Sequence, residues 1–381
     1  MSVIVQNINV TLSTTTSTTI TISMMNLDDL LSSLAFDTIK TVYVTFVLPI
    51  VNIVGLGFCS LSAWIFTNKK FHDPVFFYYR LLCLVYIIHL LHNILRGLLY
   101  SPKFFPTMNT YLSSIYQIYY SSMSGILFHY EETLQMAIIL TRMKIYNTFV
   151  KKHFKARPWI ISLSFFLTCF LIDAPYAILS FKVGLLGTYF YTDSNGLKQS
   201  GAFYFPVSSN FSVTTFGRIL LAFTTILANL GLLIVVGTAL NIVSLFKYKS
   251  HVSERKQEVE TLEVTSSYNR VTIRHEIEQQ KQREKNDRQI EKNMLYMALT
   301  LSTISIVSRI IFMFTYIYYF IYNSNASNRI VYVINYTIYT LTPTIAIFVF
   351  YSFNKAFRHE FKKKILRKRS VNPYRTPLTN F

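Results

Sequence analysis

Residues 136–171 read MAIILTRMKIYNTFVKKHFKARPWIISLSFFLTCFL. An apolar run ends, a basic stretch follows, and a second apolar run begins. The stretch 141–158 holds Arg142, Lys144, Lys151, Lys152, Lys155 and Arg157 and no acid. Apolar segments on either side of a purely basic loop are the pattern of a chain that crosses a bilayer twice and leaves the loop in the cytoplasm.

Reading outward, the chain has seven such apolar segments: 43–66, 76–99, 115–140, 159–181, 216–246, 294–321 and 330–353. At about 1.5 Å per helical residue, each spans a hydrocarbon core roughly 30 Å thick. An odd number of spans puts the termini on opposite sides. With the N-terminus outside, the inner segments 67–75, 141–158, 247–293 and 354–381 hold 28 of the 37 Lys and Arg residues. The outer segments hold five, Lys40, Lys103, Lys182, Lys198 and Arg329. Arg80, Arg96, Arg218 and Arg309 fall within spans. This asymmetry predicts an all-α membrane protein, a seven-transmembrane helix bundle oriented N-out and C-in. It also sets aside nucleic-acid binding, because the positive charge follows the topology and forms no single basic domain.

Asn-x-Ser/Thr triplets begin at Asn9, Asn210 and Asn325, all on the outer side, and these are the candidate glycosylation sites. A fourth, at Asn335, lies inside the last span. Residues 1–39 read as a disordered, Ser/Thr-rich extracellular tail. They lack the layout of a signal peptide, so the first span is expected to act as the insertion signal. Cys59, Cys83 and Cys169 all fall within spans, so no disulfide is expected in the outer loops.

One membrane domain, 40–369, is expected, followed by a cytoplasmic tail, 370–381. Within loop 247–293, the part 254–269 is polar and aperiodic. Residues 270–292 lack Gly and Pro, and Arg274/Glu278 and Glu284/Arg288 are spaced as helical neighbours. This second part reads either as a cytoplasmic extension of the sixth helix or as a solvated charged linker. In 354–369, Phe353, Phe357, Phe361 and Ile365 recur every four residues among basic ones. That pattern predicts an amphipathic eighth helix lying on anionic lipid at the inner membrane surface.

Polar groups at bilayer depth are costly and mark function or helix contacts. In the second span, His89, His92, Asn93 and Arg96 fall on one helical face. They are candidate ligand-binding residues in the outer half, suited to a polar or anionic ligand, or else helix–helix hydrogen-bonding groups. Tyr116 and Tyr120, from the tyrosine-rich outer ends of the spans, join them as candidates. In the third span, His129, Glu131 and Glu132 lie in the inner half. Adjacent acids cannot share one face, and Arg309 in the sixth span is the natural partner for one of them. Glu131, Glu132 and Arg309 are therefore the candidate switch core, with a static structural pair as the alternative.

These features resemble a G-protein-coupled receptor of the rhodopsin-like class. KKFHDPVFFYY (Lys69–Tyr79) is similar to that family's first inner loop. ILTRMKIY (Ile139–Tyr146) resembles the end of its third helix, with Arg142 matching the Arg of the Asp-Arg-Tyr motif. FNKAFR (Phe353–Arg358) resembles its junction with the eighth helix, and Glu291-Lys292 its acidic sixth-helix start. The resemblance implies an extracellular ligand, a heterotrimeric G protein as partner, a multi-pass plasma-membrane location and no cofactor. It implies G-protein coupling through Arg142, Lys144 and Asn354. The departures are as informative. Thr141 and Met143 flank Arg142, Tyr86 stands at the sodium-pocket Asp, Arg309 stands at the sixth-helix Trp, and the Asn-Pro-x-x-Tyr motif is absent. The chain thus reads as a divergent, invertebrate, orphan or chemosensory-like receptor.

A retinal protein would need a Lys in the last span, and residues 330–354 contain none. A transporter or channel is the alternative reading, since intramembrane charges suit it too. It is followed by a seven-helix membrane hydrolase, for which His89, His92, His129 and Glu131 supply the right residue types, although at different depths. No enzyme activity and no metal site are expected.

Overall fold

Each of the first two long helices has a proline in its first turn, and at the first position of the second helix, Pro74, the missing N–H leaves no hydrogen bond unmade. In the computed structural model, which describes residues 42–99, 111–192, 198–222, 234–266, 272–322 and 325–365, a π-helical turn Tyr43–Val47 leads into α1, Leu48–Phe66, with Pro49 in its first turn. Helix α2, Pro74–Leu99, is capped by Asp73, whose Oδ1 accepts from Val75 N at 3.0 Å.

Helix α3, Tyr111–Met143, is followed by the short α4, Thr148–His153, and by α5, Pro158–Ser180. Strands β1, Phe181–Thr192, and β2, Lys198–Ser208, form an antiparallel hairpin that contacts α3. Short helices α6, Asn210–Val213, and α7, Thr215–Ala222, precede residues 223–233, which lie outside the described residues and hold the middle of the fifth expected span. Helices α8, Gly237–Ser266, α9, Thr272–Tyr322, α10, Asn325–Phe353, and α11, Lys355–Ile365, complete the chain.

The polarity of the bundle is inverted relative to a water-soluble protein. Ile50, Ile53, Leu171, Phe246, Phe314 and Phe348 point outward, whereas Asn52, Glu131, Glu132 and Arg309 are buried. At 1% exposure, Arg309 is the largest of the fully buried side chains. Apolar surface on this scale is stable only against lipid. Among the described residues, four helical segments are long and apolar enough to cross a membrane: Leu48–Phe66, Pro74–Leu95, Arg288–Thr315 and Val333–Phe353. The third and fourth expected spans fall on α3 and α5. Helix α3 has ample length, but its row of polar residues keeps it out of that group.

Close backbone approach sets the packing of α1. A Cβ at Gly55 would lie 2.5 Å from Thr344 Oγ1 on α10 and 3.2 Å from Leu90 Cδ1 on α2. Where α1 ends and α2 begins, rings from four elements close the core: Phe66 of α1, Phe76 and Tyr79 of α2, Phe350 of α10 and Phe357 of α11. Cys59, Cys83 and Cys169 are buried free thiols.

The segment 247–293 departs from its expected pattern. Residues 272–293 do extend the sixth-span helix, giving a helix of 51 residues. The part expected to be aperiodic is also helical, because α8 runs on to Ser266. A helix already nucleated in a span propagates easily through Glu-, Gln- and Lys-rich sequence. The amphipathic helix is present over Lys355–Ile365, and residues 366–369 lie outside the described residues. The expected tails 1–39 and 370–381 lie outside them as well.

Candidate functional site

Three helices bring a charged cluster to the bundle core. On α3, Phe128, Glu132 and Gln135 recur at helical spacing, with Glu131 beside them. On α9, Ser305, Ser308 and Arg309 share a face, and on α2 Tyr86, His89 and Asn93 do so. Arg309 Nε donates to Glu132 Oε1 at 3.0 Å, and its Nη2 donates to the Phe128 carbonyl. Its guanidinium also lies over the Phe128 ring. Ser305 Oγ donates to the same Glu132 oxygen.

Glu131 points elsewhere and accepts from the Tyr86 hydroxyl at 3.2 Å and from Gln135 Nε2 at 3.3 Å. The two adjacent acids thus have different partners: Glu132 a guanidinium, Glu131 a phenol and an amide. Such a buried pair adds little net stability, because desolvation offsets its attraction, but losing one partner strands a charge at a cost of about 3–5 kcal/mol.

A small cavity, ≈ 10 Å³ and so room for about one water, lies against this cluster. Its walls include His89, Glu131, Ser305, Ser308, Arg309 and Thr342. One residue of the expected ligand stripe therefore shares a cavity with the expected switch core. His89 and Asn93 are buried, and His92 holds the Ile88 carbonyl through Nδ1 at 2.8 Å. The His92 ring stands beside Tyr116 and Tyr119, with centroids 6.4 and 5.9 Å away. The side chains of Arg96 and Tyr120 lie outside the described part of the structure.

A second buried pair has no counterpart in the sequence reading. His129 Nδ1 lies 2.5 Å from Asp173 Oδ2 on α5. Asp173 is an acid within an apolar span, the same signal that drew attention to Glu131 and Glu132.

At the C-terminal end of α3, Arg142 Nη1 forms an ion pair with Asp73 Oδ2 at 3.0 Å. Asp73 precedes α2, so the third-span helix is tied to its neighbour. Next to it, Tyr146 shares a hydrogen bond of 2.6 Å with Ser244 of α8, and its ring meets Tyr248 at 5.8 Å. Burial pushes the Tyr146 hydroxyl up to about 12. Lys144 Nζ sits 4.7 Å from the Phe154 ring centroid, and burial draws its ammonium below the ordinary lysine value.

Asn354 is buried at the joint between α10 and α11, where its Oδ1 accepts from Phe357 N at 3.0 Å and its Nδ2 faces Met294 Sδ of α9. Of the candidate glycosylation sites, Asn210 is exposed at the start of α6. Asn9 and the Asn325 side chain lie outside the described part.

No protein-family model matches the chain, and no curated protein sequence matches it. Among solved structures, the crystal structure of squid rhodopsin aligns with 86% of this chain and 85% of its own, with a TM-score of 0.53 and 13% identity. At that identity the likeness is one of fold: the chain has a rhodopsin-like fold.

Proposed function

We propose that the protein is a G-protein-coupled receptor of a divergent, invertebrate, orphan or chemosensory-like kind. It crosses the plasma membrane seven times, N-out and C-in, senses an extracellular ligand and signals to a heterotrimeric G protein. The fold likeness supports the class. The observation that carries the mechanism is the cavity that joins His89 of the polar α2 stripe to Glu131 and to the Glu132–Arg309 pair.

A ligand that engages His89, His92, Asn93, Arg96, Tyr116 or Tyr120 from outside acts by population shift. It favours a bundle in which Arg309 repacks against α3 and the inner end of α9 swings outward. Arg142 then leaves Asp73 and, with Lys144 and the Asn354 joint, meets the G protein. Moving such an equilibrium from 1:99 to 99:1 takes about 5.5 kcal/mol of differential binding. A buried charge cluster whose single-partner loss costs about 3–5 kcal/mol is of the right size to carry most of it. Helix α11 rests on anionic lipid.

The test is a second-messenger screen in cells expressing the chain, beginning with anionic and peptide ligands, which suit the His and Arg donors. A saturable response that Arg309→Gln alters, compared at matched surface expression, supports the reading. Ligand-free ion or solute flux in liposomes, with no second-messenger response, supports a transporter or channel instead.

A further inference from the structure

A cleft of ≈ 280 Å³ lies between α9 and α10, walled by Thr303, Val307 and Ser308 on one helix and by Ile338, Leu341 and Thr342 on the other. Thr303, Val307 and Leu341 are exposed, so the cleft opens on the surface that the bundle presents to lipid. Its floor is also a wall of the core cavity, because Ser308, Ile338 and Thr342 line both. A partition of two hydroxyls and one isoleucine therefore separates the bilayer from the Glu131–Arg309 cluster.

The hydroxyls have a definite polarity. A hydroxyl has one proton to give. Thr303 Oγ1 gives its proton to the Leu299 carbonyl at 2.8 Å, and Ser308 Oγ gives its proton to the Ile304 carbonyl at 2.8 Å. Ser308 and Thr342 share a hydrogen bond of 3.0 Å, and with the Ser308 proton committed, Thr342 must be its donor. With these protons committed, the three hydroxyls, all in residues that wall the cleft, can offer a molecule there only lone pairs. An ether or ketone finds no donor there. An ammonium could bond to them, but it pays the cost of charge at bilayer depth. The match is a neutral molecule with an apolar body and one proton to donate, of which an alcohol O–H is the simplest case.

We propose that this cleft is a lateral binding site for a slender apolar alcohol that enters from the bilayer and donates its hydroxyl proton to Thr342 Oγ1 or Ser308 Oγ. From there it lies against the wall of the charged core. That its binding also drives signalling rests on the receptor reading; the binding itself does not.

The experiment uses the full chain in phosphatidylcholine nanodiscs, with no G protein present. The probes are a long-chain primary alcohol bearing an aliphatic diazirine and the methyl ether of the same molecule. After irradiation, labelled peptides are mapped by mass spectrometry. The alcohol is expected to label 303–308 and 338–345 saturably, about fivefold more than the ether, as one net hydrogen bond predicts. Thr342→Val combined with Ser308→Ala removes that difference while keeping the volume nearly constant, and Val307→Trp fills the cleft and lowers labelling by both probes. Equal labelling by alcohol and ether overturns the proposal. So does unsaturable labelling that extends to the outward face of α5 at Leu163 and Leu167, because the cleft then holds ordinary bilayer lipid. Because no G protein takes part, a failure of binding and a failure of coupling are read separately.

Discussion

Arg142 and Asp73 form an ion pair between the C-terminal end of α3 and the cap of α2, with Nη1 and Oδ2 3.0 Å apart. The rhodopsin-like pattern places an acid next to this Arg in sequence, whereas here Thr141 and Met143 flank it. The restraint is present but comes from another helix. Asp73 also caps α2 through its other oxygen. The expected effect of Asp73→Asn is therefore clean, since Asn caps as well as Asp does. Its side chain is 42% exposed, so the pair is worth at most about 1 kcal/mol. Release should raise ligand-independent nucleotide exchange on the G protein by up to about fivefold, with surface expression unchanged. Equal basal exchange in the variant and the wild type would remove Asp73 from the switch.

The Glu132–Arg309 pair predicts a pattern among three variants. Glu132→Gln or Arg309→Met alone leaves a charge without its partner in the core and should lower stability by about 3–5 kcal/mol. Exchanging the two, Glu132→Arg with Arg309→Glu, should recover part of the loss. Thermal midpoints of detergent-solubilised protein report both effects. A double variant no more stable than either single one would mean that the two residues act independently.

Close packing predicts opposite signs at two glycines on the same helix. At Gly55 an added methyl group meets Thr344 Oγ1 at 2.5 Å, so Gly55→Ala should destabilise the bundle by about 1–3 kcal/mol. At Gly57 an added methyl group meets nothing within 4 Å, and Gly57→Ala should be neutral or stabilise by about 0.5–1 kcal/mol. The same thermal assay compares them.

Docking of α11 should respond to acid. Glu360 Oε1 accepts from Lys70 Nζ at 2.7 Å and Oε2 accepts from Asn68 Nδ2 at 3.1 Å. The hydrogen bond from Lys70 holds the Glu360 carboxyl below its ordinary value of 4.5. A depressed carboxyl contributes its stabilisation in full above the ordinary value and loses it as the pH falls through the lower folded-state value. Lys364 Nζ lies 3.3 Å from the centroid of the Trp64 ring, so Trp64 emission in a Trp159→Phe background reports the docking. An acid transition below the ordinary carboxyl range is expected in that background and should be absent from Glu360→Gln. Persistence of the transition in Glu360→Gln would assign it to another group.

What was legible in the sequence follows from which signals are local. The amphipathic helix could be read from Phe357 and Phe361, because a four-residue repeat among cations has one simple explanation. The proximity of Arg309 to the two adjacent acids followed from the cost of leaving any of them alone at that depth. Which acid it meets did not, since neighbours on a helix point about 100° apart and only the rotation of α3 decides. Asp73 was hidden for another reason: its partner lies on a different helix, far along the chain. The hairpin of β1 and β2 went unforeseen although Asn195-Gly196 between aromatic, β-branched runs is a hairpin signal. Asp173 is an acid in an apolar span, a signal the sequence does carry, and it finds His129.

In the proposed mechanism, ligand binding in the outer half of the bundle frees Arg142 to engage a G protein. Its most direct measurement is nucleotide exchange on purified heterotrimeric G proteins by the full chain in nanodiscs, compared between wild type and Arg142→Ala at matched amounts of folded protein. Wild type should accelerate exchange on at least one G-protein class, and Arg142→Ala should abolish the acceleration. Acceleration that survives Arg142→Ala undiminished would contradict that mechanism.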